Sequence, residues 1–408
     1  MTMERGRQQM QGAQRSRRGS MRDATTRIPQ GDGRHGDALA DVTERHADVA
    51  AMSYYERPMI KKPTWRWYIP FYMFIGGLGG GVALIGGLAD LCGGRRHRAT
   101  VRRARYIALV AALISPPLLI FDLGRPKRFH HMLRVFKASS PLSVGTWILL
   151  AFGLTSGVQA ARQAAEDDFI LKRESVLGRM ARLLPSKPLS LAQALLGLGL
   201  GGYTGILLAA TAIPLWAAAG ILLGPLFLAT AVASGAAALE LLAWLGWGSS
   251  GNGDEHDAEE DEARAEVETL ATLGTATQLG LELAREAMTP HAVGQPLRRG
   301  KWATLYRVGA VGGGMLTPLA LRLPAQVRGK PVGRAISITA ATLTLAGALA
   351  ERFAIVEAGK QSADDPQAYQ EYTAGHIGSA RPTPEQQALM APKVKGTKPH
   401  MAARDTRK

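Results

Sequence analysis

The chain has almost no cysteine, and it has no histidine where a membrane helix would hold a haem. Its 408 residues include one cysteine, Cys92, so the chain alone forms no disulfide, no CxxCH haem attachment and no iron–sulfur cluster. All nine histidines lie outside the interiors of the apolar runs, which leaves no axial imidazole for a b-type haem. We therefore expect no metal site in this chain, and any such redox centre belongs to a partner.

Charged residues are scarce in the middle of the chain and common at its two ends. The formal net charge is +16, but the basic residues of the middle lie in short loops between apolar runs, so nucleic acid is not the expected partner. We predict a disordered basic arm over residues 1–53, a transmembrane domain over residues 54–359 and a polar tail over residues 360–408. Membrane lipid is the expected surrounding of the middle domain.

Eight apolar runs are candidates for membrane-spanning helices. They cover approximately residues 68–91, 106–123, 142–161, 189–213, 217–247, 266–288, 302–323 and 332–356. The sixth run is free of charge only from Thr269 to Leu281 and alone would be interpreted as an amphipathic helix. The prediction is an all-α integral membrane protein with eight transmembrane helices, in which the first four and the last four could form two four-helix bundles.

Glycines at close spacing predict that three of these runs pack closely against neighbouring helices. The first run contains Gly76, Gly77, Gly79, Gly80 and Gly81, the third contains Gly153 and Gly157, and the fourth contains Gly197, Gly201 and Gly205.

A charged segment follows the second run, at a predicted membrane boundary. Asp122 comes directly after a charge-free run in which Pro116 and Pro117 predict a kink, and Arg125 follows it closely. Desolvation should raise the pKa of Asp122, and Arg125 should oppose that shift. Acid, base and kink together favour a functional Asp122, while the alternative is an acid that serves only as the structural partner of Arg125.

Other ionisable groups lie in or at the ends of the apolar runs and are predicted to be buried. Each costs at least about 2.5 kcal/mol at the centre of a bilayer. They are Asp90, Glu240, Glu282, Arg307, Glu351 and Arg352. Asp90 and Glu240 are near the ends of runs, so an alternative is that they only reach to the membrane surface. Glu351 and Arg352 are consecutive and face about 100° apart on a helix, so we expect that they cannot both point at one spot and that one of them pairs with another helix.

Four sequence elements, taken in order, resemble the NrfD or polysulfide-reductase membrane subunit family. They are WRWYIPFYMFIGGLGGG, then DLGRPKRF with the later SPLSVGTW, then GYTGILL followed by PLW, and finally ERFAIVEAG. The resemblance covers residues 54 to 359. The arginine-rich N-terminal arm and an acidic loop over residues 254–262 depart from the family pattern.

The resemblance implies a haem-free, quinone- or quinol-reactive membrane anchor of a respiratory oxidoreductase. Such a subunit lies as a multi-pass protein in the bacterial inner (cytoplasmic) membrane and is not a stand-alone enzyme. It would bind menaquinone or ubiquinone and exchange electrons with an iron–sulfur (ferredoxin-like) subunit of a molybdopterin enzyme. The segment YYERPMIKKP, which precedes the first apolar run, looks most like the same segment in family members that accompany formate-dehydrogenase-like enzymes.

The predicted site residues are Asp122, Tyr203 and Arg125, which we expect to act on the quinone and to bind it. A quinone head group needs a hydrogen-bond donor and a proton acceptor, and Tyr203 and Asp122 have these chemistries. His130 is a further quinone-binding candidate, although with His131 it is more readily interpreted as a solvated interfacial pair. Predicted members of a proton path are Asp90, Glu240 and Glu351.

Two other function classes remain open from the sequence. In one, the buried acids translocate protons or ions and the chain needs no redox partner. In the other, the chain is a purely structural anchor, and substitution of the buried acids changes stability but not turnover.

Overall fold

A computed structural model of the chain describes residues 60–92, 94, 96–168, 175–183, 185–247 and 254–377. Within these ranges the regular secondary structure is entirely helical, which confirms the all-α fold class. The predicted arm over residues 1–53 and the part of the predicted tail beyond residue 377 lie outside the described residues.

Eight long helical segments follow one another along the described chain. They are α1 (Tyr68–Cys92), α2 (Arg98–Phe121), α3 (Pro141–Glu166), α4 (Ser186–Ala209), α5 (Leu223–Trp244), α6 (Asp254–Met288), α7 (residues 301–326) and α8 (Arg334–Ser362). Shorter elements between or after them are 3₁₀ helices at Pro126–Leu133 and Gly220–Leu222 and short α-helices at Val176–Leu183, Pro214–Ala219, Gln295–Arg298 and Pro366–Ile377.

Six of the described helices are long and apolar enough to cross a membrane, namely α1 to α4, the stretch Pro214–Trp244 that contains α5, and α8. The chain is therefore a multi-pass membrane protein. The sixth and seventh predicted runs lie in α6 and α7 and are not among the six. Helix α6 begins with a strongly acidic stretch, and α7 is divided by a π-helical segment at Leu305–Leu316. A total of eight membrane-spanning helices therefore stays a prediction.

Helices α1 and α5 are the centre of the packing. Helix α1 packs against α2, α4 and α5, and α3 packs against α2 and α4. Helix α5 also packs against α4, α6 and α8, and α8 packs against α7. The first four helices therefore form one group, the last four form a second, and the two groups meet along α5.

Close approach of backbones occurs at some of the predicted glycines and not at others. A Cβ atom at Gly81 would overlap the Ala231 carbonyl of α5, and one at Gly80 would lie 2.7 Å from the Gly197 carbonyl of α4. These positions require glycine because real Cβ atoms do not come so near. The small-residue face predicted for α3 is wrong, since a Cβ at Gly153 or Gly157 would meet no atom of the described residues within 4 Å.

The acidic stretch predicted as a loop over residues 254–262 is instead the first part of α6. Its carboxylates pair with arginines at the start of α2: Glu260 with Arg103, and Glu262 with Arg96 at 2.7 Å. A helix forms here because charges of the stretch find partners on a neighbouring element or lie in water. Helix α2 accordingly begins at Arg98, earlier than the predicted boundary at residue 106.

The start of α1 and the end of α8 lie at the same end of the helices. The Lys360 ammonium donates to the Trp65 carbonyl at 3.0 Å, and the Trp65 ring stacks on Trp216 with centroids 5.5 Å apart. We call this end, which also contains Asp122, the lip face, and the end with the α2 and α6 N-termini the opposite face.

Candidate functional site

Asp122 is the first residue beyond the end of α2, at the lip face. Its carboxylate accepts a hydrogen bond from the hydroxyl of Tyr68, the first residue of α1. Burial raises the pKa of Asp122 above its ordinary value, and the Tyr68 hydrogen bond opposes that shift. The expected counter-group was Arg125, but within the described chain no ion pair joins Arg125 to Asp122. Tyr68 takes that place.

Tyr203 lies near the lip end of α4 and is only 5 % exposed. Its ring packs directly on Gly145 of α3, where a Cβ would overlap the ring. The two sequence elements SPLSVGTW and GYTGILL therefore meet at this contact. From α1, the buried hydroxyl of Tyr72 faces the Tyr203 hydroxyl.

Tyr68 and Tyr72 span the difference in depth between Asp122 and Tyr203. Tyr72 is one turn further into α1 than Tyr68, which places it about 6 Å deeper at 1.5 Å per residue. Helix α4 ends at Ala209, so Tyr203 lies about 9 Å below that end. The four side chains form a series that runs inward from the lip face, which we call the tyrosine series. Tyr68 and Tyr72 were not among the predicted site residues, although their four-residue spacing places them on one helix face.

Three buried hydroxyls near this series have no hydrogen-bond partner among the described residues. They belong to Tyr72, Ser115 and Thr204. Gly76 brings two of them together, because a Cβ there would lie 3.8 Å from the Ser115 hydroxyl and 3.6 Å from the Tyr72 ring. Buried polar groups without partners are costly, so these hydroxyls mark a place where water or a polar ligand group would be stabilised.

An apolar cavity of 180 Å³, the lip cavity, lies beside Asp122. Its walls are the last turns of α2, the 3₁₀ helix and the first turns of α3, with Pro116, Leu119, Ile120, Leu123, Phe129, Met132, Leu133, Thr146, Leu149 and Leu150 as lining. Asp122 itself does not line it, but Ile120 and Leu123 on either side of Asp122 do. Thr146 is the residue after the glycine that packs on Tyr203.

Arg125 and His130 are both exposed to the surroundings of the lip face. The His130 ring contacts the His131 ring, with centroids 4.5 Å apart, and Phe129 edge-on. This arrangement agrees with a surface pair of histidines. Neither Arg125 nor His130 is held against Asp122 or Tyr203.

Asp90 lies near the end of α1 at the opposite face, remote from Asp122. Its carboxylate accepts from Arg105 at 3.1 Å and also from the Ser190 hydroxyl. Arg105 in turn donates to Gln163 at 2.8 Å. Asp90 is thus a partnered group of the first helix group, with access from the opposite face.

Glu240 and Glu351 are both fully buried in the second helix group and paired with arginines. Glu240 accepts from Arg322 of α7 at 2.5 Å. Glu351 accepts from its neighbour Arg352 at 3.0 Å, so the expectation that these two cannot reach one spot is wrong. The helical wheel fixes the Cβ directions only, and the long Arg352 side chain turns back toward Glu351.

Arg307 is 54 % exposed, with only Glu286 at 4.0 Å, so its prediction as a buried group is also wrong. Glu282 is buried as expected and binds Arg285 at 2.8 Å. Arg285 also donates to the Tyr306 hydroxyl of α7 at 2.9 Å.

Helix α6 carries a continuous row of buried polar side chains along its length, which we call the α6 polar stripe. Its members are Glu268, Thr272, Thr275, Gln278, Glu282 and Arg285. The spacing of three or four residues places them on one helix face. Glu268 is within 3.5 Å of the Ser337 hydroxyl of α8. This spacing is present in the sequence, but the low hydropathy of the segment favoured an amphipathic surface helix over a buried one.

Comparison with known proteins gives two matches. The family model described as "Polysulphide reductase, NrfD" matches residues 57–363. The C subunit of the polysulfide reductase of Wolinella succinogenes is 29% identical over 316 residues, which cover 73% of this protein and 94% of that one. The family match includes the tyrosine series, the lip cavity and the α6 polar stripe.

Proposed function

The chain belongs to the NrfD polysulphide reductase family, and on that premise we propose that it is the haem-free, quinone-reactive membrane anchor of a respiratory oxidoreductase. The similar protein from Wolinella succinogenes is named as one subunit of a polysulfide reductase, which supports a role as a subunit. The proposed partners are an iron–sulfur (ferredoxin-like) subunit and a molybdopterin catalytic subunit of formate-dehydrogenase-like type. The proposed location is the bacterial inner membrane, and the proposed quinone is menaquinone or ubiquinone.

The lip cavity and the tyrosine series fit a quinone in composition. The cavity is lined almost wholly by apolar side chains and is bordered by helices, as expected for a group with an apolar ring and tail. Ser115 precedes the cavity residue Pro116, and Asp122 precedes the cavity residue Leu123. The Ser115 hydroxyl, the neighbouring Tyr72 hydroxyl and the Asp122 carboxylate are the proposed polar partners for a head group. In this proposal the cavity holds the apolar part, and the polar side chains lie toward its carbonyl oxygens.

A bound quinone would supply transfer of two electrons coupled to two protons. Asp122 is the group best placed to take up or release a proton, because it is partly exposed at the lip face and burial raises its pKa above its ordinary value. Tyr68 orients that carboxylate through its hydrogen bond. Tyr72 and Tyr203 each hold a hydroxyl proton deeper in the protein, where they can donate to a carbonyl oxygen.

The observation that carries this proposal is the tyrosine series ending on Asp122. The test is to replace Asp122→Asn, Tyr72→Phe and Tyr203→Phe singly in the assembled complex. Tyr106→Phe is a matched control, because the Tyr106 hydroxyl donates to Asp167 at the opposite face at 2.8 Å.

We expect Asp122→Asn and at least one site tyrosine variant to lose quinone-linked turnover by about 10²-fold, in the range of general acid–base contributions. Activity with an artificial acceptor should be unchanged, and Tyr106→Phe should behave as the unmodified complex. If the site variants assemble and keep normal quinone-linked turnover, the site assignment is wrong. A structural anchor alone predicts that outcome.

The α6 polar stripe favours a second candidate function, the translocation of protons across the membrane. Together with Glu240 and Glu351 it supplies titratable or hydroxyl groups at many depths of the second helix group. In proteoliposomes, Glu268→Gln should then abolish proton movement that accompanies turnover while turnover itself continues. Proton movement at the unmodified rate in Glu268→Gln and in Thr275→Val would remove this candidate.

A further inference from the structure

A second cleft, of 450 Å³, opens at the opposite face between α1 and α6. Both helices pack against α5, and the cleft is the space that remains between them, with Val232 of α5 as its floor. Leu84 and Leu88 of α1 and Leu270 of α6 form its sides. Its volume is within the range of roughly 300–1,000 Å³ that is usual for ligand sites.

The sides of the cleft carry exposed apolar side chains. Leu88 is 49 % exposed and Leu270 is 39 % exposed, although both belong to apolar segments of the helices. An apolar space that opens to the interior of a bilayer is occupied by a hydrocarbon chain more favourably than by water. The chain must enter from the mouth of the cleft or from the lipid side.

The mouth of the cleft carries both a cation and anions at the level of the membrane surface. The Arg96 guanidinium pairs with Glu262 at 2.7 Å and with Glu266, and His97 lies 3.4 Å from Glu266. The Glu262 side chain is 63 % exposed and the Glu266 side chain 46 %, so both carboxylates can still bind a further cation. This mouth therefore presents two carboxylates and one guanidinium to a ligand.

Such a mouth selects for a head group that carries both charges. A phosphate can approach Arg96, and an ammonium can approach Glu262 and Glu266 through charge-assisted hydrogen bonds. An anionic head group without an amine would meet two carboxylates and gain only one cation. We propose that this cleft binds a zwitterionic phospholipid with a phosphoethanolamine head group, with one acyl chain held between α1 and α6.

The first experiment asks whether the cleft holds lipid. The full-length protein is placed in nanodiscs of equal phosphatidylethanolamine and phosphatidylglycerol, re-extracted in mild detergent, and analysed by native mass spectrometry. Leu88→Trp fills the cleft from an exposed position, and Leu154→Trp, an exposed leucine of α3 on another surface, is the matched control. We expect one retained phosphatidylethanolamine in the unmodified protein and in Leu154→Trp, and none in Leu88→Trp.

The second experiment tests the head group. Glu266→Gln removes one carboxylate, and we expect the preference for phosphatidylethanolamine over phosphatidylglycerol to fall by about fivefold, the effect of an exposed charge pair worth about 1 kcal/mol. Cys92 lies on the wall of the cleft and is the one thiol of the chain. Its reaction with N-ethylmaleimide in detergent should slow when phosphatidylethanolamine is added and should not slow with phosphatidylglycerol.

Four results would overturn the proposal. They are retention of phosphatidylglycerol at least as strongly as phosphatidylethanolamine, retention of a quinone in its place, retention of no lipid, and equal loss of lipid in Leu154→Trp. The last result would mean that the retained lipid belongs to the general lipid layer around the helices.

Discussion

The buried ion pair between Glu240 and Arg322 gives a prediction whose size follows from the structure. Neither residue is exposed, and their atoms are 2.5 Å apart. Two nitrogens of the Arg322 guanidinium, Nε and Nη1, have no hydrogen-bond partner among the described residues. The pair therefore depends on a single strong contact, with Glu268 as the nearest further carboxylate. The perturbation is a cycle of Glu240→Met, Arg322→Met and the double variant.

Removal of one partner leaves the other charge buried, which costs about 3–5 kcal/mol of unfolding free energy. Glu240→Met should lie at the lower end of this range, because Glu268 remains as a counter-charge for Arg322. The double variant should recover most of the loss and unfold within about 1–2 kcal/mol of the unmodified protein, since apolar side chains of similar volume replace both charges. Glu268 then keeps Ser337 as a hydrogen-bond partner and can take up a proton.

The assay is reversible unfolding in mixed micelles, followed by far-ultraviolet circular dichroism. Lys62→Met is the control, because Lys62 and Asp364 form an ion pair at 2.7 Å in which both side chains are about half exposed. Such a pair is worth less than about 1 kcal/mol. If the single variants unfold like the control, or if the double variant shows the sum of the two single losses, the reasoning from buried charge is refuted.

Four further predictions concern packing, titration, the pH dependence of stability and cofactor content. Gly81→Ala should prevent stable folding because its Cβ would overlap the Ala231 carbonyl, whereas Gly153→Ala should be nearly neutral, as measured by the yield of monodisperse protein. Tyr68→Phe should raise the pKa of Asp122 further, because it removes the hydrogen bond that favours the carboxylate; an infrared titration of the carboxyl band should show the shift toward higher pH. Because the folded pKa of Asp122 is raised, its contribution to stability should be greatest at low pH and fall as pH rises through that pKa, which denaturation at several pH values checks. The purified protein should show no b-type band in a reduced-minus-oxidised spectrum, and such a band from this protein alone would contradict the haem-free assignment.

The position of Asp122 was predictable because it follows directly from the end of a charge-free run. Its partner was not, because Tyr68 reaches Asp122 only through the packing of α1 against α2. The sequence suggested Arg125, which is near in the chain but extends elsewhere. Local spacing identifies helix ends well, while contacts between helices depend on rotations that a single run does not encode.

The difference between local spacing and contacts between helices also explains the wrong predictions for the buried groups. Glu351 and Arg352 point apart at Cβ, but the wheel takes no account of four side-chain torsions in arginine. Gly153 has the small-residue spacing of a packed face, yet a Cβ placed there would contact none of the residues that the structure describes. Hydropathy also undervalued α6, because its buried face is polar and its exposed face is partly apolar, as at Leu273 and Leu283. The mean hydropathy of such a helix is low although one of its faces is buried, so a search based on mean hydropathy does not identify it.

The pairing of the α6 N-terminus with the arginines of α2 has a consequence for biosynthesis. Arg96 and Arg103 leave the ribosome long before Glu260 and Glu262, so they are uncompensated while the first pair of helices enters the membrane. During that interval they act with their full charge on the orientation of the hairpin. The acidic residues arrive only after the first helices are inserted, and they then fasten the later half of the chain to the earlier half without having influenced its direction. Because of the order of synthesis, the same arginines have two roles: they first orient the hairpin in the membrane, and they later form ion pairs that join α2 to α6.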